Sequence, residues 1–171
     1  MTYGRYAQIR PLDIANGNGI RVSVFVTGCS HHCKNCFNEP YQDPRYGERW
    51  SEETTRELIA YLSRPEVAGL TLLGGEPMEN TWLADVLETV RKAVDKSVWI
   101  YSGYTFEEIL EDPDKKRLLA LCDVLVDGPF IEELKNLKLA FRGSENQRIL
   151  DVQKSLEQNA PVEAPKKDTQ Q

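Results

Sequence analysis

Three cysteines crowd into the stretch Thr27-Gly28-Cys29-Ser30-His31-His32-Cys33-Lys34-Asn35-Cys36, with the spacing C-x3-C-x2-C. Thiolates held this close together are soft metal ligands, and two kinds of centre use them. A 4Fe-4S cubane takes one cysteine per iron, so Cys29, Cys33 and Cys36 would leave one iron open to an outside chelate. A structural zinc ion takes four nitrogen or sulfur ligands, and His31, His32 or Cys122 would complete that set. The loop by itself leaves both open. A disulfide framework does not suit a chain that looks cytosolic.

A second stretch sharpens the choice. Leu73-Gly74-Gly75-Glu76-Pro77 closes an apolar run, and its two glycines let a backbone approach a ligand closely while Glu76 offers an acceptor to a cationic group. Taken alone this is also an ordinary strand-to-helix turn. Its place, one strand after the cysteine loop, favours a shared site and hence the cluster. Ser102 and Asp127 end two further apolar runs. Each reads either as a turn or cap residue or as a polar contact to a cofactor, Asp127 to a ribose or a nearby cation. His31 and His32 read as solvated or supporting groups rather than acid–base catalysts. Cys122, in an apolar run, reads as a buried hydrophobe. Trp82 and Trp99 read as packing residues, and Trp50 as lining the mouth of the site.

The elements that must position these groups follow from hydrophobic pattern. Val22 to Val26, Leu70 to Leu73, Val98 to Tyr101 and Val124 to Val126 are short apolar, mostly β-branched runs, expected to be buried strands. Between them Ser51 caps a helix carrying Thr55, Leu58, Ile59 and Leu62. Asn80 is expected to cap one carrying Leu83, Val86, Leu87, Val90 and Val94. Thr105 opens Phe106 to Leu110, and Pro113 interrupts before Lys115 to Leu121. Alternating strands and helices imply a parallel sheet with right-handed crossovers, whose strand carboxyl ends share one edge, where ligands bind. A full eight-unit barrel needs about 250 residues. The 171 residues here suit one domain built as an open, partial (β/α) barrel of about five to six parallel strands. That domain is expected to span residues 1–152. Residues 153–171 have no aromatic, few large apolars and two prolines, and are expected to be a disordered tail.

Composition narrows the partners. Lys and Arg number 21 against 27 Asp and Glu, a net charge of −6, which argues against direct binding of nucleic acid. No apolar stretch approaches the roughly 18 to 20 residues a membrane-spanning helix needs. The amino terminus lacks the apolar core of a secretory signal, so a cytoplasmic location is expected.

The cysteine loop together with Gly74-Gly75-Glu76-Pro77 resembles the radical S-adenosylmethionine superfamily. Within it, Asp13-Ile14-Ala15-Asn16-Gly17-Asn18-Gly19, Trp99 to Tyr104, Asp123 to Gly128 and Phe141 to Arg148 resemble the activating proteins of anaerobic ribonucleoside-triphosphate reductases. The resemblance covers about residues 5 to 152. It implies that Cys29, Cys33 and Cys36 hold a 4Fe-4S cluster, that the open iron chelates S-adenosylmethionine, and that Gly74, Gly75, Glu76 and Pro77 meet the cofactor's amino group; the strand-end positions of Ser102 and Asp127 offer them as further cofactor contacts. One electron, from a low-potential donor such as a flavodoxin or ferredoxin, would then yield methionine and a 5′-deoxyadenosyl radical. That radical would take the α-hydrogen of a glycine in the partner reductase. The residue before the third cysteine is aromatic in many superfamily members and is Asn35 here, so backbone contacts must stand in for adenine stacking. Two rival functions are a radical enzyme acting on a small molecule or another glycyl radical enzyme, and a zinc- or cluster-binding interaction module without catalysis. Action on a small molecule needs a roof that so short a chain is not expected to supply, and the module reading must treat Gly-Gly-Glu-Pro as accidental.

Overall fold

The computed structural model describes residues 3–165. Seven strands form one sheet: β1 Arg5–Asp13, β2 Arg21–Val26, β3 Glu48–Arg49, β4 Gly69–Gly74, β5 Ser97–Tyr101, β6 Val124–Asp127 and β7 Arg148–Asp151, in the order β3-β1-β2-β4-β5-β6-β7. The four apolar runs became β2, β4, β5 and β6, paired in parallel in that order. The count exceeds the expected five to six, and the sheet is mixed, because β1, β3 and β7 pair antiparallel at its flanks. Among the described residues no helix is long and apolar enough to cross a membrane.

Strand β1 lacks an apolar run. It carries Arg5, Gln8 and Arg10, and Pro11 sits within a register shift against β2 between Arg10 and Asp13. Proline cannot donate to a ladder, so it is tolerated near an edge or at a bulge.

Helices α1 Glu52–Leu62, α2 Leu83–Ala93, α4 Pro113–Ala120 and α5 Val152–Gln158 contribute to the main core, while α3 Phe106–Leu110 adds Phe106 and Ile109. Alternation along β2 sends Val22, Val24 and Val26 into this core. Its other residues, Arg21, Ser23 and Phe25, are equally buried and belong to the opposite face. Ser51 caps α1 with its hydroxyl on the Thr54 amide, and Thr105 forms a capping box with Glu108. Asp112, with Pro113 at the first helical position, starts α4.

Three expectations change. Asn80 does not cap α2; its side chain instead donates to the carbonyls of Thr27 and Glu76 and accepts from Trp82 Nε1. Trp50 is core, 2% exposed, with its indole nitrogen on Thr55 Oγ1, because Tyr6 and Trp82 pack against it. The segment after residue 152 is structured as far as it is described. Asp151 caps α5, Val152 and Ser155 are buried, Gln153 bonds the carbonyls of Ala120 and Cys122, and Ala164 packs beside Ile149. Hydrogen bonds and small buried side chains hold it, which a count of large apolars misses. Residues 166–171 of the expected tail lie outside the described residues.

On the face away from the main core, Arg21 lies under the sheet, 1% exposed. Its guanidinium donates to Thr71 Oγ1, to the carbonyls of Leu70, Ser97 and Asn18, and stacks over Trp99. Asp13 accepts from Ser23 Oγ at 2.6 Å and Asn16 Nδ2 at 2.8 Å. These bonds fix the Asp13–Gly19 loop beneath the strands. Above it the same face opens into a cavity.

Candidate iron–sulfur and ligand site

A cavity of about 640 Å³ lies along the carboxyl ends of the parallel strands. Cys29, Cys33 and Cys36 all line it, as do Gly74, Gly75, Glu76 and Ser102. The cysteine loop begins where β2 ends, and its base is tied down by backbone bonds: Gly28 N to Tyr41 O at 2.8 Å, Cys29 N to Gln42 O at 3.0 Å, and Glu76 N to Gly28 O at 2.7 Å. Two of its residues take left-handed backbone, His32 at φ 51° and Asn35 at φ 54°. Asparagine is among the few side chains that accept this conformation readily, which gives a backbone reason for Asn35 before the third cysteine.

The cysteines are free and partly buried. Burial pushes the Cys29 thiol up to about 11 and raises Cys33 as well. A metal centre held by these sulfurs would therefore have to displace their protons and stabilise the thiolates itself. Three soft sulfur donors on one wall suit an iron–sulfur cluster, one iron per thiolate. Among the described residues no three His, Cys, Asp or Glu side chains close on a single metal-ion position. One tetrahedral zinc would draw its sulfurs to about 3.8 Å apart, given Zn–S bonds of about 2.3 Å. Cys122, one of three residues that could have completed a zinc site, is instead the buried hydrophobe expected from its apolar run, with its Sγ on Leu118 O. His32 is not in the cavity wall.

Glu76 is the joint of the site. It is 1% exposed, and each carboxylate oxygen takes two donors. Oε1 accepts from Gly103 N at 2.7 Å and His31 Nε2 at 2.8 Å; Oε2 accepts from Met78 N at 2.8 Å and Ser102 Oγ at 2.9 Å. One side chain thus joins the cysteine loop, the end of β4 and the end of β5. The hydrogen bond to Glu76 holds His31 above the ordinary imidazole range. His31 also packs edge-on against Tyr104, whose hydroxyl donates to Glu79. Burial and that bond push Tyr104 up to about 12.

The glycines serve the same junction. Gly74 has φ 108°, and a Cβ there would lie 2.6 Å from Val26 O; one on Gly75 would lie 2.7 Å from the carbonyls of Gly28 and Tyr41. No side chain fits either place. The close approach expected for a ligand is therefore made by the chain to itself. Among the described residues the Gly75 carbonyl has no hydrogen-bond donor.

Two expected contacts are not in the cavity wall. Pro77 is buried and opens a short 3-10 turn. Asp127, 1% exposed, accepts from Phe106 N at 2.7 Å and pairs with Arg148 at 2.6 Å, while Arg148 also reaches Glu107. The nearby cation is thus Arg148, and the pair locks β6, β7 and α3 together. The wall also holds groups that sequence reasoning did not pick out as site residues: Arg10, Asn16, Phe37 and Arg142. Arg142 belongs to the Phe141–Arg148 stretch, whose resemblance was the available signal. In that stretch Gln147 shapes the turn, its Oε1 accepting from Gly143 N and Ser144 N and its Nε2 donating to Gly128 O.

Comparison with known proteins defines the class first: residues 15–150 match the family model of a 4Fe-4S single cluster domain. Relatives named anaerobic ribonucleoside-triphosphate reductase-activating protein come from Vibrio cholerae (41% identical over 150 residues, 84% of this chain and 96% of the relative), Haemophilus influenzae (37% over 150 residues, 84% and 96%) and Escherichia coli (32% over 150 residues, 84% and 96%). The chain belongs to the family of anaerobic ribonucleoside-triphosphate reductase-activating proteins.

Proposed function

We propose that this chain is a radical S-adenosylmethionine enzyme that installs a glycyl radical on an anaerobic ribonucleoside-triphosphate reductase, with the sheet serving as an open partial barrel. The observation that carries the reading is the convergence of Cys29, Cys33 and Cys36 with Gly74, Gly75 and Ser102 on one cavity at the strand carboxyl edge. On this reading the three thiolates hold a 4Fe-4S cluster and the adjoining space receives S-adenosylmethionine. When bound, the two together supply one-electron chemistry that ends in abstraction of a hydrogen atom, the electron coming from a low-potential donor such as a flavodoxin or ferredoxin.

The chain's own work is placement and exclusion of water. The unfilled Gly75 carbonyl is the acceptor for the cofactor's ammonium. Ser102, already bonded to Glu76 and to Tyr104 N, holds the Glu76 junction rather than the cofactor. Phe25, Leu73, Tyr101 and Phe141 give the cavity apolar wall. At its rim Leu137 and Phe37 are 83% and 61% exposed, large apolar side chains left to solvent. Such a rim suits a macromolecular loop entering from outside, and a reacting glycine must come within about 3 to 3.5 Å of the attacking atom.

The test mixes reduced protein, S-adenosylmethionine and the candidate reductase without oxygen, using ordinary or α-deuterated glycine in the reductase. The expected result is a carbon-centred paramagnetic signal on the reductase whose splitting changes on deuteration, with deuterium recovered in 5′-deoxyadenosine. Cofactor cleavage without a reductase radical would refute the reading.

A further inference from the structure

Among the described residues the cavity wall holds a cation, Arg142, with no carboxylate paired to it. It lies on the segment between β6 and β7, and the buried, unpartnered Glu132 Oε2 of the same segment is not in the wall. A guanidinium has five N–H donors. Among the described residues Arg142 makes one hydrogen bond, from Nη1 to the carbonyl of Gln147 at 2.6 Å, and its Nε is buried with no acceptor. A buried donor with no partner is disfavoured relative to water, and more so on a charged group. The other charged groups of the wall do not relieve it. Both Glu76 oxygens already take two donors each. Arg10 is provided for, stacked 4.7 Å over Phe25 and reaching Gln8 Oε1. Arg142 is the incomplete group.

We infer that Arg142 binds a carboxylate of the cavity's ligand, and, resting on the proposed function, that this is the carboxylate of S-adenosylmethionine. A planar guanidinium matches a carboxylate bidentately, and S-adenosylmethionine carries no other anionic group. The bond to Gln147 fixes the guanidinium on one side and leaves its remaining donors for the ligand. The two charges of the cofactor's amino-acid part are then read by different segments, the ammonium by the carbonyl of Gly75 and the carboxylate by Arg142.

The experiment measures dissociation constants for S-adenosylmethionine and for its decarboxylated analogue by calorimetry. It uses the full chain after anaerobic reconstitution, as the parent and as Arg142→Gln and Arg142→Lys. The parent should prefer S-adenosylmethionine about 10- to 100-fold, the range for a charge-assisted bond. That preference should shrink about tenfold in Arg142→Gln. It should shrink less in Arg142→Lys, which keeps the charge but not the fork. Comparing variants cancels any loss of metal chelation that the analogue suffers in every chain alike. Equal binding of both ligands by the parent, or an undiminished preference in whichever variant folds, overturns the role of Arg142 alone. A parent that binds neither ligand overturns the proposed function and this inference with it.

Discussion

Replacing Glu76 by alanine should damage the fold as well as the site. The substitution removes the acceptor for four donors: Met78 N, Gly103 N, Ser102 Oγ and His31 Nε2. They do not count equally. His31 has an 18% exposed side chain, and Gly103 and Ser102 line the cavity, so water can reach these three. Met78 is 0% exposed, and its amide is stranded. The stranded donor costs about 1–3 kcal/mol, and each of the three bonds exchanged for water about 0.5–1.5 kcal/mol. A loss of about 3 kcal/mol lies within the summed range and is a large share of the roughly 5–15 kcal/mol that holds a domain folded.

The assay is urea unfolding of the metal-free chain followed by tryptophan fluorescence, since Trp50 and Trp99 are both buried. With a slope of about 2–3 kcal/mol per molar, the midpoint should fall by about 1 M or more. Glu76→Gln keeps one oxygen but turns an amide toward two of the donors, so it should lose about half as much. If Glu76 were instead a contact to the ligand alone, alanine would weaken ligand binding and leave the midpoint within about 0.2 M of the parent, and that result would refute the reasoning.

Ending the chain at Asp151 should destabilise it by about 3–5 kcal/mol, from burial of Val152, Leu156 and Ala164 at about 25 cal/mol per Å² and the loss of α5's bonds to Ala120 and Cys122; an unchanged urea midpoint would show that the segment only rests on the surface. Asp127→Asn should cost about 1–3 kcal/mol, because it weakens the bonds to Arg148 and the Phe106 amide. Its affinity for S-adenosylmethionine should match the parent's, and a tenfold loss of affinity with unchanged stability would return Asp127 to the ligand site.

What was legible in the sequence was local. The four apolar strand runs, the cap at Ser51, the helix start at Thr105 and the cysteine loop are each specified within about ten consecutive residues, and each stands where expected. The misses are of another kind. Strand β1 is made a strand by its partners β2 and β3, not by its own composition. Helix α5 is held by carbonyls that Gln153 meets more than thirty positions earlier in the chain. Arg142 and Glu76 lie far apart in sequence, and only the closed structure puts both in one wall. Asp127 illustrates the limit: its position at a strand end was read correctly, but the partner that claims its carboxylate arrives from β7.

The Gly-Gly-Glu-Pro stretch shows how one motif serves fold and site together. Read from sequence, its glycines and carboxylate are ligand contacts. In the structure Gly74 is pressed against Val26, Gly75 against Gly28 and Tyr41, Glu76 is filled by four donors, and Pro77 starts the turn toward α2. Nearly every group of the motif is engaged with protein, and the engagement is what holds the cysteine loop over the ends of β4 and β5. On the proposed function, ligand recognition then falls to the groups the motif does not consume, the Gly75 carbonyl and the guanidinium of Arg142. Substitutions in the motif should therefore lower stability and binding in step. A substitution at Arg142, whose Nε meets no protein acceptor, should separate the two, lowering affinity while the chain stays folded.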